Sequence, residues 1–324
     1  MRTSATWCLA ARLALAAVVA ACSSSNAPPS PVPPGPLYVA NYDGSSVTAY
    51  AAGATGNATP TVTIAGSNTG LNQPSGVALD AAGRVYVATF IDSVTIYATG
   101  ATGNAVPTAT ITGSNTGLSQ PEGIAFDAAG DLYVANVSNN SITVYAAGTT
   151  GNATPTATIA GNNTGLSGPE GIALDAAGHL YVANNGNSTI TVYAAGATGN
   201  ATPTATIAGG NTGLNQPLGI ALDGAGRLYV TNYGASTPSI TVYAAGATGN
   251  TTPTATIAGS STGLNYPSGI ALDAVGQIYV ANAASTNHLY SITVYAAGAT
   301  GDATAAVTIA GGNTGLNGPT YITF

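Results

Sequence analysis

The sequence predicts an all-β fold: a six-bladed β-propeller with four antiparallel strands per blade, its first blade closed by the C-terminal strand. Three observations carry this. A landmark, Pro-x-Gly-Ile-Ala-Leu-Asp or a close variant, recurs at residues 74–80, 121–127, 169–175, 217–223 and 267–273, and decays into 319–324. Its prolines are 47, 48, 48, 50 and 52 residues apart, and the interval is filled with short β-type runs. A period of that length belongs to propellers and arrays rather than to one globular core. No window carries apolar residues at helical spacing.

The third unit shows the elements in order. Residues 123–127 form a short first strand, and 127–130 (Asp-Ala-Ala-Gly) a tight turn whose glycine supplies a positive φ. Residues 132–136 (Leu-Tyr-Val-Ala-Asn) are the second strand and 142–145 the third. The Gly/Asn/Thr-rich stretch 146–154 reads as a loop, and 155–159 as an outermost fourth strand, where Pro155 suits an edge. The strands are apolar or small on both faces, as sheets stacked between neighbours require. The ends settle closure. Second-strand motifs begin six times, at Leu37, Val85, Leu132, Leu180, Leu228 and Ile278, and third-strand motifs end six times, at Tyr50, Tyr97, Tyr145, Tyr193, Tyr243 and Tyr295. No first strand precedes Leu37; residues 321–324 supply it, so both termini build one blade and no sheet edge is left between first and last units.

Three segments follow: a signal peptide over 1–21, a Cys22-led linker over 22–36, and the propeller over 37–324. Arg2 and Arg12 precede an apolar run, 13–21, that is too short to span a bilayer. The linker is Ser- then Pro-rich, an extended spacer. With Cys8 lost in the signal, Cys22 is the one cysteine left, so no intramolecular disulfide can form. Beyond the signal, two cations, Arg84 and Arg227, stand against eleven acids, a net charge of −9, with no lysine. That composition excludes nucleic-acid binding, which needs Lys and Arg to neutralise phosphates.

The unit Pro-x-Gly-Ile-Ala-Leu-Asp-x-x-Gly-x-Leu-Tyr-Val-Ala-Asn…Ile-Thr-Val-Tyr resembles the NHL-type propeller repeat, and its Tyr-Val-Ala/Thr-Asn core resembles bacterial surface repeats named for Tyr-Val-Thr-Asn. The resemblance implies an interaction platform, a sensor, or in some members a lyase or lactonase. The long third-to-fourth loop departs from the compact NHL unit. The run Val-Ala-Ala-Cys at 19–22, followed by serines, resembles the lipobox of bacterial lipoproteins; it implies lipidation of Cys22 and placement at the outer membrane or cell surface, with membrane contact only through that anchor.

Site candidates are positions that differ between copies. The residue between Pro and Gly, expected at the channel mouth, reads Ser75, Glu122, Glu170, Leu218, Ser268 and Thr320 around the ring. Two carboxylates on adjacent blades would raise one pKa or recruit a cation. This is similar to gluconolactonase-like propellers, which hold a divalent metal at the channel with acidic and amide residues. Glu122, Glu170, Ser75 and Ser268 are thus the candidate cation or ligand site. Tyr42, Asn136, Asn184, Tyr233 and His288 are candidates on the variable loops for a protein, peptide or glycan ligand. The repeated aspartates read as turn formers, the second-strand asparagines chiefly as loop caps, and His179 as an inert hairpin residue. With no nucleophile–base pair in view, the sequence favours a monomeric, surface-tethered, non-catalytic scaffold without a cofactor. The alternative is a metal-assisted lactonase or lyase with its site at the channel mouth.

Overall fold

Each repeat folds as a four-stranded antiparallel sheet, and the structure, a computed structural model, describes residues 35–234, 238–283 and 289–324. The first strands are Pro74–Leu79, Pro121–Phe126, Pro169–Leu174, Pro217–Leu222, Pro267–Leu272 and Pro319–Thr323. They touch one another in a closed cycle and line the axis. In five of them the glycine after Pro-x lies so close to the next blade that a Cβ would overlap a backbone carbonyl, that of Glu122, Glu170, Leu218, Ser268 or Thr320. Only glycine permits this approach.

The C-terminal strand closes the ring as expected. It pairs with Leu37–Asn41, Val39 opposite Ile322 and Tyr38 opposite Thr323. Phe324 packs edge-on against Tyr279 of the last blade, ring centroids 4.9 Å apart. Six apolar clusters lie between adjacent blades, and the one joining last to first (Leu37, Val39, Tyr50, Ile292, Ile309, Ile322) resembles the others. Each third strand ends in a fully buried tyrosine. Its hydroxyl donates to a threonine carbonyl in the loop leading into the first strand: Tyr145 to Thr116 at 2.5 Å and, across the closure, Tyr50 to Thr314 at 2.6 Å.

Two details differ from expectation. The outer strand of the third blade is Ala157–Ile159, shorter than 155–159, because Pro155 has no N–H to give. The Gly/Asn/Thr loops also do more than connect. Gly103, Gly151, Gly199, Gly249 and Gly301 each bridge in parallel to the outer strand of the preceding blade, and Gly56 does so to Ile309 of the last. Asn104 Oδ1 accepts the Asn68 N–H at 2.7 Å in the same clasp. Edge strands are thereby partly covered.

The pairing of Pro121 opposite Asn136 defines two rims. One carries the starts of the first strands, the ends of the second strands and the second-to-third loops. The other carries the Asp-x-x-Gly hairpins. There Asp127 Oδ1 accepts the N–H groups of Ala129 and Asp131, both at 2.9 Å, confirming the aspartates as turn formers. Arg84 and Arg227 belong to that second rim, each paired with its hairpin aspartate at 2.6 Å, as does His179, 2.8 Å from Asp175.

Candidate active site at the channel mouth

The Pro-x-Gly motif fixes where the variable side chain goes. Proline starts the strand at the first rim, glycine brings the backbone against the next blade, and the residue between them faces the axis. A pocket of about 390 Å³ results, lined by Glu122, Glu170, Leu218, Ser268, Thr320 and Tyr321, with Tyr42, Asn185, Gln216, Tyr233 and Ala283 on its upper wall. Glu122 and Glu170 are the only two glutamates in the chain, and the fold puts both here.

Their surroundings retune them. Both side chains are half-buried. Burial pushes the Glu122 carboxyl well above its usual range, and the charge of Glu170 pushes it further. Burial raises Glu170 to about 7. Tyr42 is also raised, by burial, then Glu122, then Asp43. Among the described residues no Lys, Arg or His lines the pocket, since Arg84, Arg227 and His179 occupy the other rim. Both effects favour the protonated carboxyl, because two adjacent half-desolvated carboxylates cannot both ionise cheaply.

The other candidates divide into wall and scaffold. Tyr42 and Tyr233 reach the pocket, and each is backed by a second ring, Phe90 at 5.8 Å and Tyr266 at 5.2 Å. Ser75 is fully buried, its hydroxyl donating to the Pro121 carbonyl at 2.6 Å. Ser268 Oγ lies 2.9 Å from the Pro319 carbonyl, and Thr320 Oγ1 2.8 Å from that of Ser75. These hydroxyls stitch blade to blade. Asn136 and Asn184, expected on the ligand loops, are fully buried and satisfied. Their Nδ2 groups donate to Thr143 and Thr191, and their Oδ1 atoms accept the N–H groups of Ser119 and Ser167. They hold loops and cannot reach a ligand. His288 and Cys22 lie outside the described residues. A groove of about 700 Å³ between first and last blades is larger, but its walls are Gly, Thr, Ser, Ala, Leu and Asn around Tyr290, without a carboxyl.

The residues do not fit a resident divalent cation. Such an ion takes six or more oxygens, several of them charged. The throat offers two carboxyls and the amides of Asn185 and Gln216, with Leu218 next in the ring and the serine and threonine hydroxyls turned to carbonyls, fewer charged oxygens than such an ion takes. Among the described residues no group of three or more His, Cys, Asp or Glu converges anywhere.

Sequence reasoning missed Tyr321. Five blades carry glycine after Pro-x; the sixth carries Pro319-Thr320-Tyr321, and the ring of that tyrosine fills the axis. Aligning the decayed tail with the landmark residue by residue would have found it.

Comparison with known proteins agrees with this architecture. Residues 17–208, more than half of the chain and including both glutamates, match the family model described as SMP-30/gluconolactonase/LRE-like region. No curated protein matches by sequence. Solved structures share the fold. A protein of unknown function from Bacteroides caccae is 10% identical with a TM-score of 0.65, the match covering 89% of this chain and 98% of that one. A Lactobacillus plantarum protein is 20% identical with a TM-score of 0.57, covering 90% and 87%. A proposed 6-phosphogluconolactonase from Bacteroides fragilis is 16% identical with a TM-score of 0.55, covering 81% and 77%. The family match corrects the expectation of a non-catalytic scaffold. That expectation rested on finding no nucleophile–base pair in the sequence, and a family match over more than half of the chain outweighs it. The chain belongs to the SMP-30/gluconolactonase/LRE-like family.

Proposed function

We propose that the propeller is a hydrolase of uncharged cyclic esters, with Glu122 and Glu170 as its acid and base. The observation that supports this most is the meeting of the chain's two glutamates in one half-buried throat, where burial raises both above the usual carboxylate range. Such a pair is suited to acid–base work at neutral pH. Glu170, taken as the base, receives a proton from water as the water oxygen attacks the lactone carbonyl carbon. The ring C–O bond breaks, and the departing alkoxide takes the proton of Glu122. Lactone and water become a hydroxy acid, and one carboxyl remains protonated for the next turnover after proton exchange with solvent.

Charge narrows the substrate class. A throat with two acids and no cation among the described residues repels a phosphate ester. Tyr42 and Tyr233 offer flat faces suited to a sugar ring. The enzyme is proposed to be NHL-like in its repeat and tethered at the cell envelope through acylated Cys22. Labelled palmitate incorporated by the wild type and not by Cys22→Ala would support the tether; incorporation into both would remove it. The activity test is hydrolysis of glucono-δ-lactone and of its phosphorylated counterpart by purified protein. Turnover of the neutral lactone alone, lost by about 100-fold or more in Glu122→Gln and in Glu170→Gln, is expected. Full activity in both variants would overturn the assignment.

A further inference from the structure

The hydroxyl of Tyr321 is buried, and no hydrogen-bond partner is found for it. Buried hydroxyls are almost always paired, and leaving one unpaired is unfavourable, so its presence calls for a reason. Structure alone supplies none. The five equivalent positions are glycines that pack without a side chain, and a phenylalanine would fill the axis equally well. The ring of Tyr321 packs against the apolar cluster between the first two blades. It also separates the throat from a lower axial cavity of about 320 Å³ lined by Val77, Ile124, Ile172, Ile220 and Ile270. Tyr321 is therefore the floor of the pocket that Glu122 and Glu170 line.

We propose that Tyr321 is a catalytic residue of this site: its O–H donates a hydrogen bond to the substrate's carbonyl oxygen and to the oxyanion that forms there. The inference rests on the hydrolase reading above. Burial, reinforced by the charges of Glu170 and Glu122, keeps the phenol protonated far beyond the working range, so the donor is always present. A protonated donor fixed at the floor of the pocket that holds the two carboxyls is an arrangement that can stabilise an acyl-transfer transition state. The floor also leaves one way in, from the loop rim. Because Tyr321 stands on the strand that closes the ring, the donor is in place only when the tail is docked.

The test is Tyr321→Phe, which removes one oxygen, measured beside Glu122→Gln with glucono-δ-lactone as the probe. The expected result is a fall in kcat/KM of about 100-fold with KM little changed. The melting temperature should be unchanged or higher, since an unpaired buried hydroxyl is gone. Wild-type kcat/KM in Tyr321→Phe, with Glu122→Gln inactive, would overturn the Tyr321 assignment and leave the hydrolase standing. A fall in activity matched by a lower melting temperature would make the hydroxyl structural and overturn it as well. A wild-type protein inert toward the lactone takes down both.

Discussion

Ile322 and Ile172 occupy the same place in two blades, one on the C-terminal tail and the other in the middle of the chain. Each follows Pro-x-x in a first strand, each is buried to the same degree (6% and 7% exposed), and each packs in the cluster between neighbouring blades. If the tail is a full member of the first blade, truncating either side chain removes the same contacts. Replacing a buried isoleucine by alanine forfeits the transfer energy of the lost carbons and leaves a cavity, together about 2–4 kcal/mol. We expect Ile322→Ala and Ile172→Ala to lower the free energy of unfolding by amounts within about 1 kcal/mol of each other, read from urea titrations followed by tyrosine fluorescence. A tail that frays would behave otherwise: Ile322→Ala would fall within about 0.5 kcal/mol of wild type while Ile172→Ala remained costly. That outcome would refute the sealed ring, whatever the enzyme assays gave.

Other consequences are checked in the same material. Tyr50→Phe and Tyr145→Phe each orphan one buried threonine carbonyl, so both should cost about 1–2 kcal/mol, although the Tyr50 bond spans the closure. A glutamate raised on folding contributes stability that is complete below its unfolded value and lost as pH rises through the folded one. For Glu170 the window runs from 4.5 to about 7, so unfolding free energy should fall across it. Wild type is expected to be less stable at about pH 8 than at about pH 5, by up to about 3 kcal/mol from this group, with the slope reduced in Glu170→Gln. Equal unfolding free energies from urea titrations at both pH values would argue against the burial effect. Removing divalent ions with a chelator should leave lactone hydrolysis intact; inactivation reversed by added cation would contradict the donor-set reasoning.

Much of this was legible beforehand because a propeller repeats its instructions. Pro-x-Gly marks the start of each axial strand, Asp-x-x-Gly each hairpin, and the missing strand before Leu37 matches the surplus one at the tail. The glutamates stood out because Ser75, Leu218, Ser268 and Thr320 replace them elsewhere. What was not legible depended on spatial neighbours rather than on spacing. The Gly/Asn loops read as connectors, since their partners lie on the preceding blade. Asn136 and Asn184 sit at the loop rim in sequence, but their side chains turn inward to Thr143 and Thr191. Tyr321 hid in a degenerate copy of the motif. The retuning of Glu122 and Glu170 arises from the depth of the throat, which no local pattern encodes.

The claim beneath the functional account is that the throat holds a proton near neutral pH. Because the chain has two glutamates and both line that throat, carbon-13 labelling of glutamate places just two side-chain carboxyl resonances in the spectrum. Following them by NMR across a pH titration of the intact protein is the most direct measurement. We expect both to change well above the usual 4.5, with Glu170 near 7. Two independent transitions near 4.5 would mean two ordinary solvated carboxylates, and the acid–base pair would be gone.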